Sequence, residues 1–145
     1  MPNWCSNTIR VLNAEYEDFV TIVQYSTTGG EIDFEKIRPL GEDPDRSTVL
    51  REWGASYATD NYIDFDDHIL SFETPWTPAE GITKALSNTY PAFKFMLRYD
   101  EPMVGLHGYA IYREGNLLDS GDTEPPIIKP SQEELLECAN EVSLE

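Results

Sequence analysis

Carboxylates are the most numerous side chains of this sequence that could take part in binding. The 145 residues include 27 Asp and Glu but only 10 Lys and Arg, so the formal net charge is −17. Such a surface attracts basic partners, among them proteins that hold nucleic acid, although acidic charge also serves simply for solubility. Because phosphate binding requires clustered Lys and Arg, we expect no direct contact with DNA or RNA.

The last third of the chain is especially acidic. The glutamates of a predicted terminal helix recur every four residues, which places them on one face about 6 Å apart along the axis, near two phosphate steps of a DNA strand. A phosphate-mimicking track and an ordinary solvated face both fit this spacing. The partner-binding residues predicted on this acidic surface are Asp119, Asp122, Glu124, Glu133, Glu137 and Glu141.

Histidines and aspartates form a second set of candidates. His68 and His107 are the only histidines, and they can act as a base or as metal ligands only if the fold brings them together. The Asp64 to His68 run lacks the Gly and the bidentate Glu of a calcium loop. We therefore expect a solvated hairpin tip there, and neither a metal ion nor a cofactor.

Cysteine and aromatic residues complete the candidates. Cys5 has no basic neighbour nearer than Arg10 to lower its pKa, so we expect a buried thiol that is not a nucleophile. Trp53 and Tyr57 offer an aromatic surface, which suits either core packing or a ligand. An alternative function is therefore a small-molecule-binding or enzymatic domain that uses the region 53–57 together with His68 or His107.

The elements that must position these residues follow from periodicity and turn signals. Residues 31–52 carry turn signals and read as irregular, and Thr77-Pro78-Ala79-Glu80 predicts a helix start with Thr77 as N-cap. Glu114-Gly115 predicts a hairpin turn. The predicted strands are 7–12, 53–62, 69–74, 93–99, 105–113 and 116–120, and the predicted helices are 15–26, 78–90 and 131–145.

This order predicts an α+β fold with a ferredoxin-like βαββαβ core, in which two helices cover one face of an antiparallel sheet. A C-terminal hairpin and helix follow the core. We expect a single domain over 1–145, with the core at about 2–121, a Pro-rich linker at 123–130 and the helix at 131–145. The N-terminal residues lack a signal-peptide pattern, so we expect a cytoplasmic protein with reduced thiols.

Several short motifs resemble those of the YubB-type ferredoxin-like family, whose members are small uncharacterised proteins of bacteria, conjugative plasmids and phages. The resemblance covers about residues 2–115. Tyr57 and Ala79 depart from the family's pattern, which has a second Trp and a second Pro at these positions. The motifs are Pro2-Asn3-Trp4-Cys5-Ser6-Asn7, Phe34-Glu35-Lys36-Ile37-Arg38-Pro39, Trp53-Gly54, Phe72-Glu73-Thr74-Pro75-Trp76-Thr77-Pro78 and Tyr99-Asp100-Glu101.

The resemblance implies the fold and a mobile-element context, but it implies no mechanism. Together with the charge, it leads us to expect a non-catalytic protein-binding domain. We expect its acidic, DNA-mimic-like surface to engage a basic partner such as a host nuclease or another nucleic-acid-handling defence protein, as anti-restriction and anti-CRISPR inhibitors do.

Overall fold

Eight strands and four helices make up residues 2–122, the part of the chain that the computed structural model describes. The predicted linker and terminal helix lie outside these residues. Within them, no helix combines the length and apolar character needed to cross a membrane. The elements are β1 (Trp4–Leu12), α1 (Tyr16–Ser26), β2 (Thr27–Thr28), β3 (Glu31–Ile32), α2 (Phe34–Ile37), α3 (Arg46–Trp53), β4 (Thr59–Asp64), β5 (Ile69–Pro75), α4 (Glu80–Thr89), β6 (Lys94–Glu101), β7 (Leu106–Arg113) and β8 (Asn116–Gly121).

The main sheet has six antiparallel strands in the order β4-β5-β1-β6-β7-β8. Its first four strands, together with α1 and α4, form the βαββαβ arrangement of a ferredoxin-like fold. The β7–β8 hairpin extends the sheet beyond β6, and its turn residues Glu114 and Gly115 both have positive φ, as a two-residue hairpin turn requires. The predicted fold class is confirmed.

The core lies on the helix-covered face of this sheet. In β1, Ile9 and Val11 point into the core, whereas the intervening Arg10 points to the opposite face. Phe19 from α1 and Leu86 from α4 join the same hydrophobic cluster, so both helices cover one face, as predicted. Burying each of these side chains contributes about 1.5–3 kcal/mol.

Residues 31–53 differ from the prediction of an irregular segment followed by a strand from Trp53. Short helices form here because Asp33 and Asp45 cap them by accepting hydrogen bonds from the backbone amides of Lys36 and Thr48. Helices α2 and α3 have only four and eight residues, too few for apolar periodicity to reveal them. Trp53 ends α3, and the strand begins only at Thr59.

The start of α4 also differs from its prediction, because Thr77 does not cap the helix. Its hydroxyl instead donates to the Gly54 carbonyl at 2.6 Å. The helix begins at Glu80, and the backbone amide of Ala79 donates to the buried Asn7 side chain at 2.9 Å. Tertiary hydrogen bonds thus replace the local capping box.

Candidate functional site

A groove of about 400 Å³ opens beside α2 and the segment that follows α3. This volume lies within the range of small-ligand sites. The structure places both predicted aromatic residues, Trp53 and Tyr57, in its lining. The charged and aromatic lining residues, which we call the aromatic groove, are Glu31, Asp33, Phe34, Glu35, Trp53 and Tyr57.

Trp53 is held firmly in the wall of this groove. Its indole N–H donates to the Arg38 carbonyl at 2.8 Å. Its ring packs edge-to-face on Phe34, with centroids 5.6 Å apart, and Phe34 packs in the same way on Phe72 of the core at 5.8 Å. The indole orientation is therefore coupled to the sheet.

Tyr57 forms the outer part of the groove. Its side chain is 48% exposed, and its ring makes an edge contact with Trp4 of β1, with centroids 6.2 Å apart. The groove therefore joins a rigid indole to a phenol that remains accessible to a ligand.

Two of the groove carboxylates are oriented by backbone and hydroxyl donors. Glu35 accepts hydrogen bonds from the amides of Leu40 and Gly41 at 3.0–3.2 Å. Asp33 accepts from the Lys36 amide and from the Thr28 hydroxyl. Both residues line the groove together with the aromatic rings.

A second surface feature joins two segments that are distant in sequence. The ring of Phe65, in the β4–β5 turn, contacts Phe19 and Tyr16 of α1 at centroid distances of 5.7 and 6.3 Å. Tyr16 and Phe65 are 59% and 39% exposed. These contacts bring the acidic start of α1 beside the acidic turn, forming an acidic patch made up of Glu15, Glu17, Asp18, Asp64, Asp66 and Asp67.

Some carboxylates of the acidic patch have structural roles and others do not. Asp18 accepts from the Glu15 amide in a capping box, and Asp64 accepts from two backbone amides of its turn at 3.0 Å. Glu17, Asp66 and Asp67 are exposed, and their carboxylates accept no hydrogen bond within residues 2–122. Sequence reasoning predicted a solvated hairpin tip at Asp64 to His68 and did not connect it with the start of α1.

The predicted acidic surface of the last third is only partly described. Asp119 lies on β8 and accepts a hydrogen bond from the Tyr109 hydroxyl at 3.0 Å. Asp122 follows the same strand. Desolvation raises the pKa of Tyr99 most, followed by Glu80 and Cys5, and the charge of Asp122 raises it least. The glutamates predicted at 124, 133, 137 and 141 lie outside the described residues.

The two histidines are not brought together. His68 precedes β5, and its ring stacks on Phe19 with centroids 5.0 Å apart. His107 lies on β7 opposite Asp100, and two strands of the sheet separate β7 from β5. Within residues 2–122, no three His, Cys, Asp or Glu side chains are arranged to hold a metal ion.

Cys5 is fully buried, as expected. Desolvation raises the pKa of its thiol to about 11, so the group is neutral at physiological pH and unsuited to nucleophilic attack. Glu101 on the neighbouring strand is also buried, and one of its carboxylate oxygens accepts from the Val104 amide at 2.7 Å. Glu101 ends the Tyr99-Asp100-Glu101 motif of the family resemblance, which assigned it no role, and in the structure it supports the β6–β7 turn.

Comparison with known proteins identifies relatives of the fold. The family model described as a ferredoxin-like domain in Api92-like protein matches residues 52–134. The solved structure of protein api92 from Yersinia pseudotuberculosis is similar, with a TM-score of 0.52 and 19% sequence identity over 66% of this chain. The match spans 43% of that protein, and at this identity it supports the fold alone.

No curated protein sequence matches this chain at a significant level. The family model covers more than half of the residues, including Trp53 and Tyr57 of the aromatic groove but not its residues in 31–35. The chain therefore belongs to the family of ferredoxin-like domains found in Api92-like proteins.

Proposed function

We propose that this chain is a non-catalytic protein-binding domain that engages a basic surface of its partner through the acidic patch. The observation that carries the proposal is the contact between Tyr16 and Phe65, since it gathers six carboxylates from two distant segments around exposed rings. The overall charge of −17 points the same way.

The composition of the acidic patch suits a protein interface. Exposed carboxylates steer a basic partner into contact and set its orientation. Aromatic side chains supply the apolar area that charges lack, and they are enriched at interfaces. Tyr16 and Phe65 would therefore contribute affinity, while Glu17, Asp66 and Asp67 would mainly contribute association rate.

The partner class that fits best is a nucleic-acid-handling protein, because such proteins carry basic grooves. The resemblance of the opening hexapeptide to YubB-type proteins of plasmids and phages supports a more specific proposal, an inhibitor of a host defence nuclease of the anti-restriction or anti-CRISPR kind. The residues predicted from the sequence, Asp119, Asp122, Glu124, Glu133, Glu137 and Glu141, are proposed as an alternative contact for the same partner, and the test below compares them with the acidic patch.

The proposal is tested by affinity capture from host extract with two charge-matched variants. The patch variant carries Glu17→Gln, Asp66→Asn and Asp67→Asn, and the stripe variant carries Glu133→Gln, Glu137→Gln and Glu141→Gln. Each variant removes three negative charges, so the two serve as controls for each other. The patch substitutions avoid the carboxylates that accept backbone hydrogen bonds.

We expect a basic protein to be retained by the wild type and the stripe variant and to be recovered in clearly smaller amount by the patch variant at low salt. Loss from the stripe variant alone would overturn the assignment to the acidic patch and place the contact in the last third of the chain. Equal retention by all three proteins would overturn binding through an acidic surface.

A further inference from the structure

We propose that the aromatic groove is a receptor for an arginine side chain of the protein partner. This inference rests on the proposed function, since it assumes a partner with a basic surface. The groove differs from the acidic patch in chemistry, because it has a rigid aromatic wall in addition to negative charge.

The lining of the groove matches a guanidinium group. A planar cation packs favourably against the faces of Trp and Tyr, at about 0.5–1 kcal/mol for an exposed site. Trp53 is fixed by its bond to the Arg38 carbonyl, so its orientation costs little entropy on binding. Tyr57 supplies a second, more exposed ring.

The carboxylates provide the complementary charge. Glu31 on β3 is exposed, and its carboxylate accepts no hydrogen bond within residues 2–122, so it can receive the fork of N–H donors that arginine presents. Asp33 and Glu35 are already oriented by their backbone donors. They add negative potential without having to reorganise.

Within residues 2–122, the cations of α2 and its C-terminal end, Lys36 and Arg38, are bound elsewhere. The Lys36 ammonium donates hydrogen bonds to the carbonyls of Gln24 and Thr27 at 2.8 and 2.6 Å. Arg38 pairs with Glu52 at 3.4 Å. Among the described residues, the lining includes no Lys or Arg, so the negative charge is left for an external cation. Arginine suits it better than lysine because its planar group both stacks on rings and binds a carboxylate through two donors.

The test uses N-acetyl-L-arginine methylamide as the probe, titrated into the full chain labelled with nitrogen-15. The indole N–H signal of Trp53, assigned through Trp53→Phe, reports occupancy of the groove. The neutral isostere N-acetyl-L-citrulline methylamide is the control ligand. Glu31→Gln and Tyr57→Ala are the test variants, and Glu114→Gln, another exposed carboxylate, is the control variant.

We expect a saturable shift of the Trp53 signal with the arginine probe and none with the citrulline probe. Glu31→Gln should weaken binding roughly twofold to fivefold, the range of an exposed ion pair, and Tyr57→Ala should weaken it as well, while Glu114→Gln should not. Equal shifts with both probes, or no response to Glu31→Gln, would overturn the inference.

The two proposals fail separately. If partner capture depends on the acidic patch but the arginine probe leaves Trp53 unshifted, the groove inference fails and the proposed function stands. If the probe binds but Glu31→Gln leaves capture of the partner unchanged, the groove is a site for small cations and its role as a receptor for the partner's arginine is overturned.

Discussion

Gly54 is the residue on which the aromatic groove depends most directly. Its φ of +88° ends α3 in the left-handed region, and a Cβ at this position would lie 2.5 Å from the Pro78 carbonyl oxygen. The close approach lets the end of α3 abut the start of α4 and fixes Trp53 above the core. The position requires a positive φ and has no room for a Cβ atom. Only glycine meets both requirements without strain.

Gly54→Ala should therefore destabilise the fold more than Gly30→Ala. Gly30 has a similar φ of +85°, but a Cβ at this position would have no neighbouring atom within 4 Å, so its substitution costs only the conformational penalty of about 1–2 kcal/mol. The steric clash at Gly54 should add roughly 1–3 kcal/mol. Urea unfolding measures both, and equal losses of stability would contradict the close-packed junction.

The raised pKa of the buried Cys5 thiol makes the stability of the fold depend on pH in a defined way. In the unfolded chain the thiol ionises near pH 9, whereas in the folded chain its pKa is about 11. Between these values the unfolded state releases a proton that the folded state retains, so the stability due to the neutral buried thiol is lost as pH rises. The free energy of unfolding should fall in this window.

The contribution of Cys5 is isolated by comparison with Cys5→Ala. We expect the stability advantage of the wild type over the variant to shrink by roughly 2 kcal/mol between pH 8 and pH 10.5. Denaturant unfolding under reducing conditions measures it. Tyr112, whose pKa is raised mainly by desolvation and not by Cys5, acts in both proteins and cancels. A constant difference across this pH range would show that the thiol is not desolvated.

At the scale of elements, Asn7 joins β1, β5 and the start of α4. Its amide donates to the Cys5 carbonyl at 3.0 Å and to the Thr74 hydroxyl at 2.8 Å, and its oxygen accepts from the Ala79 amide at 2.9 Å. All of these groups are buried. Asn7 thus performs the helix-capping role that the sequence suggested for Thr77.

Asn7→Ala should cost about 2–4 kcal/mol, because it leaves buried partners without hydrogen bonds. The exposed Asn116, whose amide reaches only the nearby Glu114 carbonyl, provides the control. Asn116→Ala should change stability by no more than about 0.5 kcal/mol. Similar unfolding midpoints for the two variants would rule out the buried network as the clamp between these elements.

The helices and strands that could be predicted from the sequence are those with a clear periodic pattern of apolar residues. The alternation in β1 and β6 and the apolar face of α1 indicate both structure and burial, and Glu114-Gly115 indicates its hairpin. The short helices α2 and α3 carry too few apolar positions, and their aspartate caps resemble ordinary turn residues. The start of α4 was misplaced because Asn7, more than seventy residues away, replaces the local cap.

The candidate site was less predictable than the fold for a related reason. Trp53 and Tyr57 were identified as a surface because they are aromatic and close in sequence. Their acidic neighbours in the groove come from β3 and α2, so their proximity depends on tertiary packing. The acidic patch likewise needs Tyr16 and Phe65 to meet, and no pairwise sequence signal shows that contact.

For the whole molecule, the distribution of charge argues against nucleic acid as a direct ligand. Arg10 and Arg98 lie on the sheet face opposite α1 and α4, but Glu73, Asp100 and Asp119 share this face through the strand register. Interspersed acidic charge prevents the continuous basic track that phosphate binding needs. The negative net charge adds repulsion at longer range.

The isolated domain should therefore show no binding to single-stranded DNA or RNA at physiological salt. Fluorescence anisotropy with labelled oligonucleotides measures this directly. Micromolar affinity would contradict the expectation, and its loss in Arg10→Ala would locate binding on the sheet face opposite α1 and α4.

If the acidic patch steers a basic partner into contact, the association rate constant is the quantity that depends on it most strongly. With a partner obtained by capture, we expect the patch variant to associate several-fold more slowly than the wild type at low salt. The difference should shrink at high salt, where charges are screened, and dissociation should change little because exposed charges act mainly on encounter. The stripe variant provides the charge-matched comparison. An association rate for the patch variant equal to that of the wild type at low salt would show that the acidic patch does not steer the partner.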